Sequence, residues 1–505
     1  MKSPLPSRLQ QIRASRNGDG YEPVASYEPD KTRDVQDWQA LQTALLRLCP
    51  AKTWYKNSQS TCCPRPVLIT QEHQQQLSEL HTALVLAITD IVERWWSDSE
   101  AKFPERMPLE RKEEDLLRWM DGQTPQLLPP YRDCRGSWRP DFLVEEVSLG
   151  ENLPPAEIFR ISEINARFSF NGYMLLAHGQ QALQDIGISN TNNGLKGATD
   201  PQMILEGLLD LIQPGVPLHL LKGEEAGVDV HMFADWLRRN TGITLRFITP
   251  SDLRLFPDPQ SKGGYKLCCV VNNDLNSTAP PHPALDNSTE ELLEEVYQIG
   301  MELHQRELLA LQPEMLRQIS LRCFNDMRTI LLVHDKRMLG IVKQELRSLV
   351  EREVLTQAQA HALDLGIADT ILPGSLELYQ LLERCRSSPD LRTEYLLKPV
   401  RSGKGDGIVF GDELSPTEWL SKLELLKCPQ LNQGGTTLIV QRKVEPILYD
   451  MMLKSPGTMA KLPLIGTYHS VHGQYLGLGV WRSSADRVCA ISHGGAWMCS
   501  VMDDN

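Results

Sequence analysis

Arg139-Pro-Asp141-Phe142, Glu163-Ile-Asn165 and, much later, Tyr395-Leu-Leu-Lys398-Pro399 running into Arg401-Ser-Gly403-Lys404-Gly405-Asp406-Gly407 are the segments whose order decides the fold. Asp141, Glu163 and Asn165 are three hard oxygen donors, of the kind Mg²⁺ takes in small number while keeping positions for phosphate oxygens. Two carboxylates can also bridge two ions across a phosphoryl group in transfer. The run Glu157-Ile-Phe-Arg-Ile-Ser-Glu-Ile-Asn165 is rich in β-branched and aromatic residues and reads as a strand. Its two-residue period predicts Glu163 and Asn165 on one face, with Ile158 and Ile164 on the other. A purely structural reading competes, in which Asp141 caps a turn and Glu163 pairs with Arg160 or Arg167.

Lys398 ends an apolar strand, where its ammonium can reach a phosphate while its stem stays in the sheet, and Pro399 closes that strand. Across Arg401, Ser402, Gly403, Lys404, Gly405, Asp406 and Gly407, glycine alternates with polar residues. Such a backbone folds its N–H groups over phosphate oxygens at small steric cost. It is not a Walker A loop, since G-x-x-x-x-G-K-S/T is absent. An isolated loop of this kind reads as a surface hairpin; the strand, lysine and proline ahead of it argue for phosphate. Thr437-Leu-Ile-Val-Gln441-Arg-Lys443-Val-Glu445-Pro446 ends an apolar strand in polar residues, which suits either a hinge against an adenine edge or an ordinary edge strand. Gly466-Thr-Tyr-His-Ser-Val-His-Gly473 reads as a hairpin, and Gly477-Leu-Gly-Val-Trp-Arg482-Ser-Ser484 follows. Arg482 suits a phosphate or a carboxylate, or a solvated strand end.

Around these segments the 505 residues exceed one ordinary core and imply several packed subdomains. A flexible leader or surface-wrapping arm is expected over 1–35 and a helical N-terminal region over 36–128. A metal-binding and substrate α/β region follows over 129–330, and a nucleotide-binding region over 331–505. Leu77, Leu80, Leu84, Ala87, Ile88, Ile91 and Trp95 recur at helical spacing within Gln71–Trp96, and Leu109–Trp119 reads as a second helix. Tyr173–Asp185 and Asp335–Glu353 read as helices. Strand-like Val216–Leu221 and Leu267–Val271 flank a helix at His231–Arg239, a βαβ rhythm that predicts a mostly parallel sheet. Ser288-Thr-Glu-Glu291 looks like a capping box opening a helical stretch that runs to Cys323 with a break near Pro313. From Tyr395 onward strands dominate.

Composition is globular, with 41% hydrophobic and 23% charged residues. A net charge of −13 argues against a general nucleic-acid or anionic-membrane binder. It agrees with a cationic substrate or with solubility alone. The longest apolar stretches, such as Ala83–Val92, fall short of the ~20 residues of a membrane span. The opening Met-Lys-Ser-Pro-Leu-Pro-Ser-Arg lacks the hydrophobic core of a signal peptide. Eleven cysteines without a CxxC pair predict reduced thiols and a cytoplasmic protein, and no zinc motif is visible.

The order R-x-D-F, E-x-N, Y-x-x-K-P with its glycine loop, the Gln441 hinge, the Ile-Gly hairpin and G-x-x-R-S resembles the glutathionylspermidine synthase-like family of circularly permuted ATP-grasp ligases. The resemblance covers roughly Pro129 to Trp497. In ordinary ATP-grasp enzymes the metal-binding acids follow the lysine and glycine loop; here they precede them. The fold this implies is an α/β ATP-grasp of α+β subdomains, circularly permuted, with a helical N-terminal region. It also implies Mg²⁺ ligands at Asp141, Glu163 and Asn165, and Arg139 steadying an acyl phosphate and tetrahedral intermediate. Lys398 would hold phosphate beneath a mobile Gly403–Gly407 loop, with Gln441 or Lys443 near adenine. Arg482 would lie near the reacting phosphate, and Lys336, within Asp335-Lys336-Arg337, would be a second nucleotide contact. Three departures stand out, one of them a divergent loop after Arg482. Glu163 follows Asp141 by 22 positions, which predicts an insertion over Ser148–Ala156, and no Cys/His amidase domain is recognisable in residues 1–128.

The expected function is an ATP-dependent carboxylate–amine ligase working through an acyl phosphate, with ATP and Mg²⁺ as cofactors and a small-molecule acid and amine as substrates. A phosphotransferase on the same site, a non-catalytic nucleotide-binding protein and an unrelated α/β scaffold stay open at this point. The identities of the acid and amine, and the oligomeric state, do not follow from the sequence.

Overall fold

At the centre lies an antiparallel sheet with strand order Ala496–Met498, Trp481–Ser483, Ile465–Val471, Ser137–Val147, Ala156–Asn165, and Gln474–Leu478 pairs onto Ile465–Val471. This is a computed structural model, and it describes residues 8–15, 20–26, 30–148, 155–190, 194–271, 284–285, 291–432, 435–454 and 457–504. Ser137–Val147 and Ala156–Asn165 form one long hairpin whose register runs from Arg139↔Asn165 to Val147↔Ala156. Strand length therefore accounts for the 22-position spacing. The insertion expected over Ser148–Ala156 reduces to the connection between the arms, most of which lies outside the described residues.

A bulge interrupts that hairpin. Asp141 opposes Glu163 but Phe142 opposes Ile161, which leaves Ser162 as the extra residue. An inserted residue shifts the alternation of faces by one. Phe159, Ile161 and Ile164 thus all lie in the core, while Glu163 and Asn165 share the opposite face. Ile158 falls on the face of Glu163, not opposite it as strict alternation predicted.

The helix Gln71–Glu93 buries Leu77, Leu80, Leu84, Ala87, Ile88 and Ile91, and Thr70 and His73 cap it reciprocally. With Arg111–Asp121 it forms the helical region near the N-terminus. Part of the expected leader is built into a sheet. Gln10–Ala14 pairs with Val67–Ile69, which lies beside Ser500–Asp503, and Ile12 is fully buried.

Parallel pairing is rarer than expected. Leu218–Lys222, the helix Val230–Thr241 and Leu245–Ile248 do form a parallel βαβ unit, extended by Gln298–Glu302. Tyr265–Val270, expected beside them, instead joins Leu253–Pro257 and Leu292–Glu295 in an antiparallel sheet. The helix expected from Ser288 to Cys323 is also overturned. Ser288–Glu290 lie outside the described residues, Leu292–Glu295 and Gln298–Glu302 are strands, and helix is confined to Gln305–Ala310 and Pro313–Ser320. Tertiary packing wins here: a Cβ on Gly300 would lie 2.4 Å from the Phe324 ring and 2.7 Å from Leu220. A close approach of this kind needs glycine in a strand.

The remaining lobe is an antiparallel sheet of Thr370–Ile371, Leu438–Arg442, Tyr395–Pro399 and Val409–Phe410. Helices Leu376–Ser387 and Pro416–Leu425 back it through a separate core of Leu381, Leu382, Leu397, Trp419, Leu423 and Val440. The Arg442–Glu145 ion pair, at 2.7 Å, ties this sheet to the central hairpin. No described helix is long and apolar enough to cross a membrane, and all eleven cysteines are free.

Candidate active site

The hairpin face that carries Asp141, Glu163 and Asn165 borders a cavity of about 850 Å³. Arg139, Lys398, Gln441, Lys443, Arg482 and the loop residues Ser402, Gly403, Lys404 and Gly405 line the same cavity. Two predicted residues stand outside its lining. Lys336 lies behind Glu163, and Gly407 packs against Pro399 at the foot of the loop.

Asp141 is buried in mid-strand and does not cap a turn. Arg139 donates Nε to its Oδ1 at 2.9 Å and Nη2 to its Oδ2 at 3.2 Å, and Arg482 Nη2 reaches Oδ2 at 2.5 Å. Burial works against the charge on Arg482, but Asp141 prevails and raises its pKa. Glu163 pairs with neither candidate arginine. Arg160 holds Glu145 at 2.8 Å and Arg167 donates to Gln305 at 3.3 Å. The partner of Glu163 is Lys336, whose Nζ lies 3.1 Å from Oε2. Burial alone would raise the Glu163 pKa, yet Lys336 and Lys398 hold it far below the ordinary carboxylate range. Asn165 Nδ2 makes a longer contact, 3.4 Å, with Glu163 Oε1.

Lys398 is buried, and burial lowers its pKa to about 8, with Lys336 adding to the shift and Glu163 opposing it. The cluster thus sets four cations, Arg139, Arg482, Lys336 and Lys398, against two carboxylates. Such a surplus of buried positive charge suits a polyphosphate ligand.

Above the cluster runs the glycine-rich loop. Lys404, Gly405 and Gly407 are in the left-handed region, at φ 60°, 80° and 76°, which glycine tolerates freely and lysine rarely adopts. A Cβ on Gly405 would sit 2.0 Å from Val488 Cγ1, so glycine lets the loop close against that segment. Lys336 Nζ also donates to the Ser402 carbonyl at 2.6 Å, linking Glu163 to the start of the loop. Arg401 roots it: its guanidinium meets both oxygens of Glu113, at 2.7 and 2.8 Å, and Asp335 at 2.8 Å. Lys404 reaches across the cleft to Glu225, 3.1 and 3.2 Å from the two oxygens.

The hinge residues are already engaged. Gln441 Nε2 donates to the Ser162 carbonyl at 3.2 Å and to Thr370 Oγ1 at 2.9 Å, so this side chain braces the bulge that aims Glu163. Lys443 pairs with Glu445 at 2.8 Å. The sequence reading missed the far end of the cavity, which Tyr55, Phe168, Phe170, Glu225, Glu302 and His304 line. Glu302 is fully buried, and burial raises its pKa well above the usual range, with the neighbouring Asp229 carboxylate adding to the shift. The one local signal was the aromatic pair in Arg167-Phe-Ser-Phe170, which begins two positions after Asn165. The others converge from distant segments with no motif between them.

Fold and cleft together are those of an ATP-grasp enzyme. The AnkG N-terminal domain model matches residues 80–332, half of the chain. An ATP-grasp enzyme, ankG of Aspergillus thermomutatus, is 33% identical over 495 residues, covering 96% of this chain and 98% of that protein. A glutathione synthetase-like effector from Globodera pallida, solved in its apo form, matches with a TM-score of 0.53 at 12% identity, over 94% of this chain and 98% of that one. This last likeness is one of fold. The chain belongs to the AnkG family of ATP-grasp enzymes.

Proposed function

We propose that this protein is an ATP-dependent carboxylate–amine ligase that forms an amide through an acyl phosphate and releases ADP and phosphate. The observation that carries this reading is the cluster just described. Asp141 and Glu163 face each other across adjacent strands, four cations surround them, and a glycine-rich loop covers them. That the acids precede Lys398 and its loop in the chain supports a circularly permuted ATP-grasp frame.

In this reading the triphosphate of ATP lies over Lys398 beneath the Ser402–Gly405 backbone. The substrate carboxylate attacks the γ-phosphorus, the bond to the β-phosphate oxygen breaks, and ADP leaves. Arg139 and Arg482, both oriented by Asp141, meet the charge that spreads over the transferring group. A neutral amine then attacks the acyl carbon and phosphate departs, with Arg139 facing the oxyanion. Asp141, Glu163 and Asn165 have the hard-donor chemistry to hold Mg²⁺, which when bound shields phosphate charge. Fit to a metal is best at Glu163 Oε1, which among the described residues accepts the long 3.4 Å Asn165 contact.

The amine is assigned to the end of the cavity with Glu225 and Glu302. The buried Glu225 carboxylate, with Phe168 and Tyr55 lining the same cavity, favours an amine that carries further positive charge. The loop lysine Lys404 already sets an ammonium on Glu225, in the manner such a substrate would.

The experiment is Mg·ATP turnover with hydroxylamine as surrogate amine, screened over amino acids, short peptides and other carboxylic acids. Acid-dependent hydroxamate with ADP and phosphate is expected. AMP and pyrophosphate would mean adenylation and remove the proposal, whereas a phosphorylated product stable to hydroxylamine would mark a phosphotransferase.

A further inference from the structure

Away from the cleft, three strands bring together an imidazole, a thiol and a carboxylate that the reaction does not use. His219 lies on Leu218–Lys222 of the parallel sheet. Cys269 on Tyr265–Val270 and Glu294 on Leu292–Glu295 are direct partners across the antiparallel ladder. One ligand atom from each residue lies within 4.8 Å of the other two. We propose that His219, Cys269 and Glu294 form a zinc site that clips these two sheets together.

His219 carries the argument. It is fully buried, and neither ring nitrogen makes a hydrogen bond of good geometry; Nε2 lies 3.5 Å from Glu294 Oε2. Buried polar nitrogens left unused are uncommon, and each asks for an explanation. An ion would supply it. Nitrogen, sulfur and oxygen donors in one buried set match the ligands of Zn²⁺, whereas Mg²⁺ and Ca²⁺ take oxygen alone. Three protein ligands leave a fourth tetrahedral position for water.

Arg246, paired with His219 across the parallel strands, puts Nη1 2.5 Å from Glu294 Oε2. It fixes the carboxylate from outside, as the outer partners of metal ligands do. The competing arrangement is a metal-free His219–Glu294–Arg246 cluster with Cys269 as packing. Positions 219, 269 and 294 share no local spacing, so no scan for paired cysteines or histidines would find them. None of the three lines the catalytic cavity.

The test uses full-length protein stripped by a chelator and titrated with Co²⁺. One equivalent of cobalt is expected to develop a thiolate-to-cobalt charge-transfer band with the d–d intensity of a low-coordinate ion, and Zn²⁺ to bleach it. The band should vanish in Cys269→Ser and persist in Glu163→Gln, which alters only the cleft. Should Cys269→Ser fail to fold, Glu294→Gln decides, with an expected loss of zinc affinity of about 10-fold or more. Folded wild-type protein without the band, a band that survives Cys269→Ser, or unchanged affinity in Glu294→Gln would overturn the site.

Discussion

Asp141 and Glu163 would repel each other across the hairpin if cations did not hold them, and the division of those cations sorts the residue roles. Arg139 and Arg482 converge on Asp141, while Lys336 and Lys398 act on Glu163. In the proposed mechanism Arg139 acts on the reacting centre and not on the triphosphate. Arg139→Ala should therefore leave the ATP dissociation constant nearly unchanged while product formation falls by about 10²-fold. Nucleotide titration set beside steady-state kinetics checks this, and equal loss of both would contradict the role. Lys398 gives a pH signature. Its pKa is lowered to about 8, and bound phosphate should return it toward the ordinary lysine value near 10.4. ATP affinity should then fall as pH rises through about 8, and binding near pH 9 should take up a proton. Calorimetry in buffers of different ionisation enthalpy reads that proton, which Lys398→Gln should abolish.

The elements explain how much of this was legible in advance. Helical spacing gave Gln71–Glu93, and β-branched density gave Ala156–Asn165. Motif order placed twelve of the predicted residues around one cavity. What escaped is tertiary. The bulge at Ser162 shifts the face of Ile158, and only the partner strand reveals it. The bracing role of Gln441 on Ser162 and Thr370 was hidden too, because a strand end looks alike whether its side chain turns outward or inward. Gln441→Leu should leave the preference for ATP over GTP intact and lower turnover roughly 10-fold to 100-fold, because the bulge that aims Glu163 loosens. Loss of nucleotide preference with unchanged turnover would instead establish the adenine role. The root of the glycine-rich loop was equally hidden, since Arg401 meets Glu113 across 288 residues of sequence. Arg401→Met strips Glu113 of its ion-pair partner and leaves Asp335 with Arg337 alone. Breaking one side of a buried ion-pair network costs about 3–5 kcal/mol, so a clear drop in the denaturation midpoint is expected, together with a raised KM for ATP. An unchanged midpoint would remove Arg401 as the anchor.

At the scale of the molecule, the helical region near the N-terminus emerges as part of the catalytic frame. Its helix Arg111–Asp121 supplies Glu113 to the loop root, while Gln10–Ala14 joins the sheet that holds the C-terminal strand Ser500–Asp503. The cleft lies between the central sheet, the lobe bearing Lys398 and the loop, and the lobe bearing Glu225 and Glu302. Lys404 on Glu225 joins the last two directly. A reaction through an acyl phosphate needs this enclosure, because water competes with the amine for the activated acid. The most direct measurement of that reaction uses the acid from the hydroxylamine screen, labelled with ¹⁸O in its carboxylate. Each turnover is expected to carry one ¹⁸O into inorganic phosphate, read as a mass shift of the phosphate. Unlabelled phosphate, or label recovered in AMP, would contradict it.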